Sequence, residues 1–385
     1  MPPEIDTTQS LLRRALEIYE RKTILETINS SGSTLIDDKL IRDWMRSSSS
    51  DLLLSEEQRD RLRALLPTSP KGATGQFRFI DLFAGIGGIR RGFEEIGGRC
   101  VLTSEYNRYA VRTYKANHFS TTDHIFNDDV RKLTRSAEGL NLDDAERRAH
   151  ILKSVPAHDV LLAGFPCQPF SLAGVSKKNS MGRAHGFACA AQGTLFFDIA
   201  LILDARRPAA FVLENVAHLK SHDKGNTFRI IKNELKNLGY WVADIEHEGP
   251  DDPKIVDAKH FTPQQRKRII LVGFDEQLGI HDNFTLRDIR QFYPASVPSL
   301  SDLLETRVPD NYILTPGTWK SVFRHAERHR QKGNGFGFGL ITDTSKSITR
   351  TLSHRYYKDG AEILIDRGFD PNLDVSHPDN IAQRP

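Results

Sequence analysis

The chain has 385 residues, with 53 Lys+Arg against 50 Asp+Glu and 38% hydrophobic residues, which predicts a soluble globular protein of about two or three domains. No apolar run approaches the roughly 20 residues needed to cross a bilayer, and Met1-Pro2-Pro3-Glu4 lacks the basic-then-apolar opening of a signal peptide. Cys100, Cys167 and Cys189 are too few and too scattered for a disulfide framework or a zinc ribbon, so the sequence predicts a cytoplasmic protein with no metal and no membrane partner, whose thiols stay reduced.

Residues 8–65 read as helical: Leu11, Leu12, Ala15, Leu16 and Tyr19 recur at helical spacing, as do Leu40, Ile41, Trp44 and Met45. The Ser47–Ser50 run interrupts this pattern, and Pro67 to Gly75 reads as a linker, so residues 1–75 form a helical extension. Residues 1–76 carry 11 Lys+Arg and 12 Asp+Glu and are close to neutral, so charge alone gives this part no partner.

From 76 to 275 strands and helices alternate. Phe79–Phe83, Cys100–Ser104, Asp159–Ala163, Phe211–Leu213 and Ile269–Gly273 are short apolar runs with the look of buried strands. Helical patterns follow the first run up to Gly97-Gly98, then cover Tyr109–Asn117 and about 195–206 and 227–238. Such alternation predicts an α/β fold with a doubly wound, mostly parallel sheet, which binds ligands beyond the C-terminal ends of its strands. Residues 276–385 change to short segments rich in Pro, Gly, Thr and aromatics, a smaller irregular domain. Within it, residues 318–358 carry nine Lys+Arg against only Glu327 and Asp343, a local +7 in a chain of +3. That is the footprint of a phosphate-facing surface; the plainer reading is a solvated helix face followed by a polar loop.

The chemistry-bearing residues sit at the predicted strand ends. Asp81-Leu82-Phe83-Ala84-Gly85-Ile86-Gly87-Gly88 turns a strand into a helix, with glycines that let a ligand approach the backbone. By itself this signal is shared with dinucleotide enzymes. Glu105 at the next strand end can hold two ribose hydroxyls, Tyr106 offers a ring face, and Asp129-Val130 an acceptor and an apolar neighbour for adenine. Gly164-Phe165-Pro166-Cys167-Gln168-Pro169-Phe170-Ser171 places a thiol between two X-Pro steps just past a strand, a candidate nucleophile. Cys100, inside a strand, reads as core filler. Glu214 in Glu214-Asn215-Val216 ends an apolar run, where burial is expected to raise its pKa and fit it for acid catalysis. Arg266 and Arg268 in Gln264-Gln265-Arg266-Lys267-Arg268 project to one side if the segment is extended.

In this order the motifs resemble those of the DNA (cytosine-5) methyltransferase family from about residue 77 to 274, and 333–339 and 349–360 resemble the target-recognition region of its Dcm-type members. The resemblance implies S-adenosylmethionine as cofactor, duplex DNA as partner, a monomer, and methylation of the inner cytosine of CC(A/T)GG. It implies that Cys167, beside Gln168 of the same motif, attacks C6 of a flipped-out cytosine while Glu214 holds N3 and Arg266 and Arg268 lie by the base. The cofactor would lie against Phe83, Gly85 and Gly87, with Glu105 on the ribose and Tyr106, Asp129, Val130 and Leu195 around the adenine. DNA would meet the segment 171–193, including Ser171, Lys177 and Arg183, which resembles the family's closing loop, and Arg350, Arg355 and Lys358 of the second domain.

The family pattern continues with an arginine–leucine–threonine–proline motif and a late glycine–asparagine motif, neither of which precedes Gln383-Arg384-Pro385. This implies a truncated form, with apolar surface uncovered and weaker methyl transfer and solubility than a C-terminally extended version. Two alternatives stand beside the enzyme: a catalytically weak DNA-binding or regulatory protein, which binds DNA without a trapped adduct, and an RNA cytosine-5 methyltransferase, which prefers tRNA in competition. A nicotinamide dehydrogenase explains neither Cys167 nor Glu214.

Overall fold

The computed structural model describes residues 7–30, 35–46, 54–69, 75–121, 123–136, 143–166, 195–309, 312–333, 339–352 and 363–368. They fall into two compact units, residues 1–245 with 270–284, and residues 246–269 with 285–385. The helical residues before 76 thus cluster with the sheet, and the second unit also takes in 246–269.

The first unit opens with four helices: α1 (Thr8–Ile18), α2 (Arg21–Ile28), α3 (Asp38–Arg46) and α4 (Glu56–Ala64). Thr7 caps α1 by accepting the Ser10 N–H at 3.1 Å, and Ser55 and Gln58 close a reciprocal capping box on α4, satisfying donors that a helix start leaves unpaired. Leu11, Leu12, Ile24, Ile28, Ile41 and Leu62 are buried in a core of their own, whereas Leu40 is exposed.

The sheet strands of this unit are β1 (Phe77–Leu82), β2 (Gly98–Ser104), β3 (Ile125–Asn127), β4 (Val160–Gly164), β5 (Ala210–Val216) and β6 (Tyr240–Val242), with β8 (Lys267–Asp275) entering after β7 (Ile255–Asp257). Their order is β3-β2-β1-β4-β5-β8-β6. Strands β1 to β5 pair in parallel, and β6 runs antiparallel to β8. Successive strand residues point to opposite faces, yet Phe79 and Ile80, and Leu161 and Leu162, are all fully buried. Both faces are therefore covered, as in a doubly wound sheet. The covering helices are α5 (Gly88–Glu95), α6 (Arg108–Asn117), α7 (Val130–Thr134), α8 (Asp144–Ser154), α9 (Phe196–Arg206) and α10 (Asn226–Asn237). Helix α1 docks on α6 through a Lys115–Glu17 ion pair at 2.7 Å and an Arg112 Nε bond to the Ile18 carbonyl at 3.0 Å.

In the second unit, β7 pairs antiparallel with the first residues of β8. Helix α11 (Pro316–Gln331) is capped by Thr315 with Pro316 in its first turn, and β9 (Leu340–Ile341) and β10 (Leu364–Ile365) make a small parallel pair. The basic stretch read from the sequence starts on α11, where Lys320, Arg324 and Arg328 are exposed at four-residue spacing along one helix face. Among the described residues no helix is long and apolar enough to cross a membrane.

Candidate active site

Strand β1 lies between β2 and β4, so chain order reverses there. In open α/β sheets the crevice for a ligand forms beyond the strand ends at that reversal. The ends are level: Leu82 pairs with Ser104 on one side and Ala163 on the other, and Gly164 pairs with Glu214. The β1 turn, Glu105, the start of the proline–cysteine segment and Glu214 therefore emerge along one sheet edge.

The turn after β1 is unusual backbone. Phe83, Gly85 and Gly87 have φ of 54°, 56° and 88°, the left-handed region that glycine occupies without strain. Glu105 ties this turn to the next one. Its Oε2 accepts the Gly85 N–H at 2.8 Å and its Oε1 accepts the Asn107 N–H at 2.7 Å. Each carboxylate oxygen keeps a further lone pair, which suits a vicinal diol. A Cβ built on Gly85 would meet no heavy atom within 4 Å, so the turn leaves an open cradle against its backbone. Tyr106 is 80% exposed beside it. Asp129 caps α7 through the Arg131 N–H at 3.0 Å, and the Arg131 guanidinium at 2.6 Å holds its carboxyl below the ordinary value. Val130 is buried, and Thr134 of the same helix donates to Asp198 of α9 at 2.5 Å. Half-buried Leu195 is the first flanking residue of α9, so α7 and α9 are fastened as one wall. A cradle, a diol acceptor, an exposed ring and an apolar wall fit an adenosyl group.

Sequence reasoning passed over Asn107 and Asn127. Asn107 caps α6, and Asn127 Oδ1 accepts from both Ser104 Oγ and the Asp129 N–H. The signal was present, since an Asn between a strand end and a helix start is a capping residue.

Gly87 has a second constraint. A Cβ there would lie 2.1 Å from Nε2 of His118. That ring is buried and held by Glu94 Oε2 at 3.4 Å and the Ile86 carbonyl at 3.3 Å. Glu94 is paired in turn with Arg90 at 2.7 Å, and Arg90 donates to Tyr114 Oη and the Phe119 carbonyl. Gly87→Ala combines positive φ with displacement of an anchored ring, and is expected to cost about 1–3 kcal/mol of stability and to weaken binding of an adenosyl ligand about tenfold. Gly85→Ala, with open space around it, is expected to lose cofactor affinity at a stability cost of only about 1 kcal/mol. Denaturant melts and cofactor titration of the two variants check this.

On the other side of the reversal, β4 ends at Gly164 and is followed by buried Phe165. Asn215 Nδ2 donates to the Phe165 carbonyl at 2.9 Å, while its Oδ1 accepts the Val216 N–H at 2.8 Å. The buried amide thus fixes the backbone that leads into Pro166 and Cys167. Glu214 is half-buried at the strand end rather than fully desolvated, and its Oε2 lies 3.6 Å from a Cβ built on Gly164. Cys167, Gln168, Ser171, Lys177, Arg183, Arg355 and Lys358 lie outside the described residues. Cys100 is buried in β2 and burial pushes its thiol up to about 12, the behaviour of core filler.

Arg266, Arg268 and Arg350 belong to the second unit. Arg266 and Arg268 are half-buried while Gln265 and Lys267 between them are exposed, so the two arginines share a side of an extended segment. The Arg266 N–H donates to Asp257 Oδ1 at 3.0 Å, and Arg350 is exposed. Among the described residues no three His, Cys, Asp or Glu side chains cluster as metal ligands.

The model of the family described as C-5 cytosine-specific DNA methylase matches residues 77–380. The chain is 55% identical over 387 residues to the DNA-cytosine methyltransferase of Escherichia coli strain K12, covering 99% of this chain and 82% of that protein. It is 42% identical over 295 residues to the type II methyltransferase M.NlaX of Neisseria lactamica, 76% of this chain and 79% of that one. Among solved structures it is similar to the S. pombe Dnmt2 methyltransferase, with a TM-score of 0.50 at 17% identity over 77% of each chain.

Proposed function

The chain belongs to the C-5 cytosine-specific DNA methylase family and is a DNA cytosine methyltransferase that uses S-adenosylmethionine; from that premise we propose that it methylates C5 of a flipped-out cytosine through a covalent adduct at Cys167, with the inner cytosine of CC(A/T)GG as its target. One geometric observation carries the reading. Gly164, which leads to Cys167, and Glu214 are paired neighbours on β4 and β5, the strands next to the reversal of the sheet, and Asn215 anchors the backbone after Gly164.

Bound S-adenosylmethionine supplies an electrophilic methyl group. Phe83, Gly85 and Gly87 would hold it from the β1 turn, Glu105 through the ribose hydroxyls, and Tyr106, Asp129, Val130 and Leu195 around the adenine. Cytosine C5 is a poor nucleophile, so the protein's own residues must activate it. The Cys167 thiolate adds to C6, Glu214 donates a proton or hydrogen bond to N3, and C5 becomes an enamine carbon able to take the methyl. A base then removes the C5 proton, the C5–C6 double bond re-forms, and the thiolate leaves. Arg266 and Arg268 would hold the flipped ring, Gln168 would support the cysteine segment, and Ser171, Lys177, Arg183, Arg350, Arg355 and Lys358 would meet DNA. C6 is stacked within a duplex, so the target base must leave the helix, at a cost of about a few kcal/mol. The sequence division into 1–75, 76–275 and 276–385 assigns cofactor and chemistry to the middle part and base reading to the last. The low cysteine count fits a protein working in a reducing cytoplasm, and the family resemblance gives a monomer.

Fluorine at C5 of the substrate cannot be removed as a proton, so the adduct persists. The expected result is a denaturation-resistant complex between the protein and short duplexes carrying 5-fluorocytosine at the inner position of CC(A/T)GG, formed only with S-adenosylmethionine present. Scrambled duplexes and tRNA should give none. Salt-sensitive DNA binding without any adduct would overturn the covalent reading.

A further inference from the structure

The segment that carries Arg266 and Arg268 does not stand alone in the second unit. On one side Asp257 Oδ1 accepts the N–H groups of Lys259 and Arg266, at 3.2 and 3.0 Å, and the Ala258 N–H donates to the Arg266 carbonyl at 3.1 Å. On the other side lies chain more than eighty residues later. The Thr349 N–H donates to the Pro263 carbonyl and the Gln265 N–H to the Thr349 carbonyl, both at 2.8 Å, which makes a parallel bridge centred on Gln264. Thr351 Oγ1 donates to the Gln265 carbonyl at 2.6 Å. Arg350 sits between the two threonines, exposed, while Thr349 beneath it is 5% exposed and Pro263 is buried.

Resting on the function proposed above, we infer that Thr351 and Asp257 are positioning residues that clamp the Pro263–Arg268 segment between β7 and the 349–351 segment, so that the base-holding arginines and DNA-facing Arg350 are set by one hydrogen-bonded body. Each acts through the backbone of Gln265 or Arg266, the residues immediately before Lys267 and Arg268. A contact made by Arg350 with DNA is thereby transmitted to Arg266 within one stitched piece of chain, and a duplex that misplaces Arg350 misplaces the arginines at the base. Asp257 is 6% exposed, so its two bonds to backbone N–H groups are shielded from competing water.

The test is Thr351→Val, which preserves shape and removes one donor, beside Thr351→Ser, which restores it. Single-turnover methyl transfer is measured in the full chain on duplexes with CC(A/T)GG. Loss of one neutral hydrogen bond corresponds to about 3- to 10-fold. The expected result is that loss in rate for Thr351→Val, with an unchanged KM for S-adenosylmethionine, a melting midpoint lowered by no more than about 4 °C and recovery in Thr351→Ser. The discrimination between CC(A/T)GG and a one-base variant should narrow by a similar factor. Wild-type rate and discrimination in Thr351→Val, with Arg266→Ala strongly impaired, would overturn the clamp while leaving the proposed function standing. An unimpaired Arg266→Ala would remove the function assigned to that arginine, and the clamp with it.

Discussion

Cys167→Ala and Glu214→Gln are expected to give the largest losses of activity, and to fail in different ways. A positioned general acid contributes about 10²- to 10⁴-fold, so Glu214→Gln should lower single-turnover methyl transfer by that factor. Glutamine keeps the size of the side chain and its acceptor but cannot deliver a proton. Cys167→Ala removes the covalent route itself and should cost at least about 10³-fold, with no trapped adduct on 5-fluorocytosine duplexes. Both variants should bind duplex DNA and S-adenosylmethionine with affinities close to wild type, because the proposed function assigns binding to the β1 turn, Glu105 and the basic surface. The neighbourhood of Gly164 and Glu214 makes the two losses non-additive: the acid has little to do once no thiolate adds to the ring, so the double variant should resemble Cys167→Ala alone. Quench-flow transfer of a labelled methyl group, with denaturing gels for the adduct, measures both quantities. A Glu214→Gln variant within a few-fold of wild type would remove Glu214 from the chemistry.

Legibility in the sequence tracks the strength of the hydrophobic signal. Strands β1, β2, β4 and β5 and helices α5, α6, α9 and α10 stand within a few residues of their expected places because each strand is an apolar run closed by a glycine or a polar strand end. Strand β3 was not legible, having three residues of which Ile125 is 39% exposed. Helix α8 has Arg147 and Ile151 as its buried residues, the first of them charged, so no apolar stripe marks it. Helix α11 was legible only through the plainer reading of the basic stretch, a solvated helix face, because it too lacks an apolar stripe. Trp319 is its buried anchor, and its regularity lies in the spacing of lysine and arginine, which fits a loop as well as a helix. Within the site, the motif residues that protrude from strand ends were readable, but the residues that hold them were not. Asn215 reaches Phe165 across 50 positions and Asp257 reaches Arg266 around a turn. Such partners depend on the register between strands, which no single segment encodes.

Asp81 is a motif residue that faces inward, and its burial makes stability depend on pH. It sits 1% exposed in β1, just before the glycine turn, and accepts from Tyr114 Oη at 3.1 Å. Tyr114 also meets Thr103 Oγ1 at 2.8 Å, and Thr103 meets His124 at 2.9 Å. Burial pushes the Asp81 carboxyl from 3.8 up to about 7, against the Tyr114 hydrogen bond and the Arg90 charge that lower it. Arg90 cannot serve as a full counter-ion, since it is already paired with Glu94. The raised value fixes the sign of the pH effect. Below pH 4 the carboxyl is protonated in both folded and unfolded chains and its contribution is complete; as pH rises from about 4 through about 7 the unfolded chain ionises more readily, and stability is lost. Asp81→Asn keeps a neutral acceptor for Tyr114 and cannot ionise. It should therefore match the wild-type chain near pH 4 and exceed it by an amount that grows to about 2–4 kcal/mol by pH 8. Urea unfolding of both chains between pH 4 and 8 measures the difference, and a gap that stays constant across that range would show that Asp81 is ionised in the native protein. Cofactor affinity supplies a second readout, because an ionised Asp81 repels Glu105 across the end of β1. Affinity for S-adenosylmethionine should fall above pH 7 in the wild-type chain and hold level in Asp81→Asn, tying the stability of the strand to the shape of the cradle it carries.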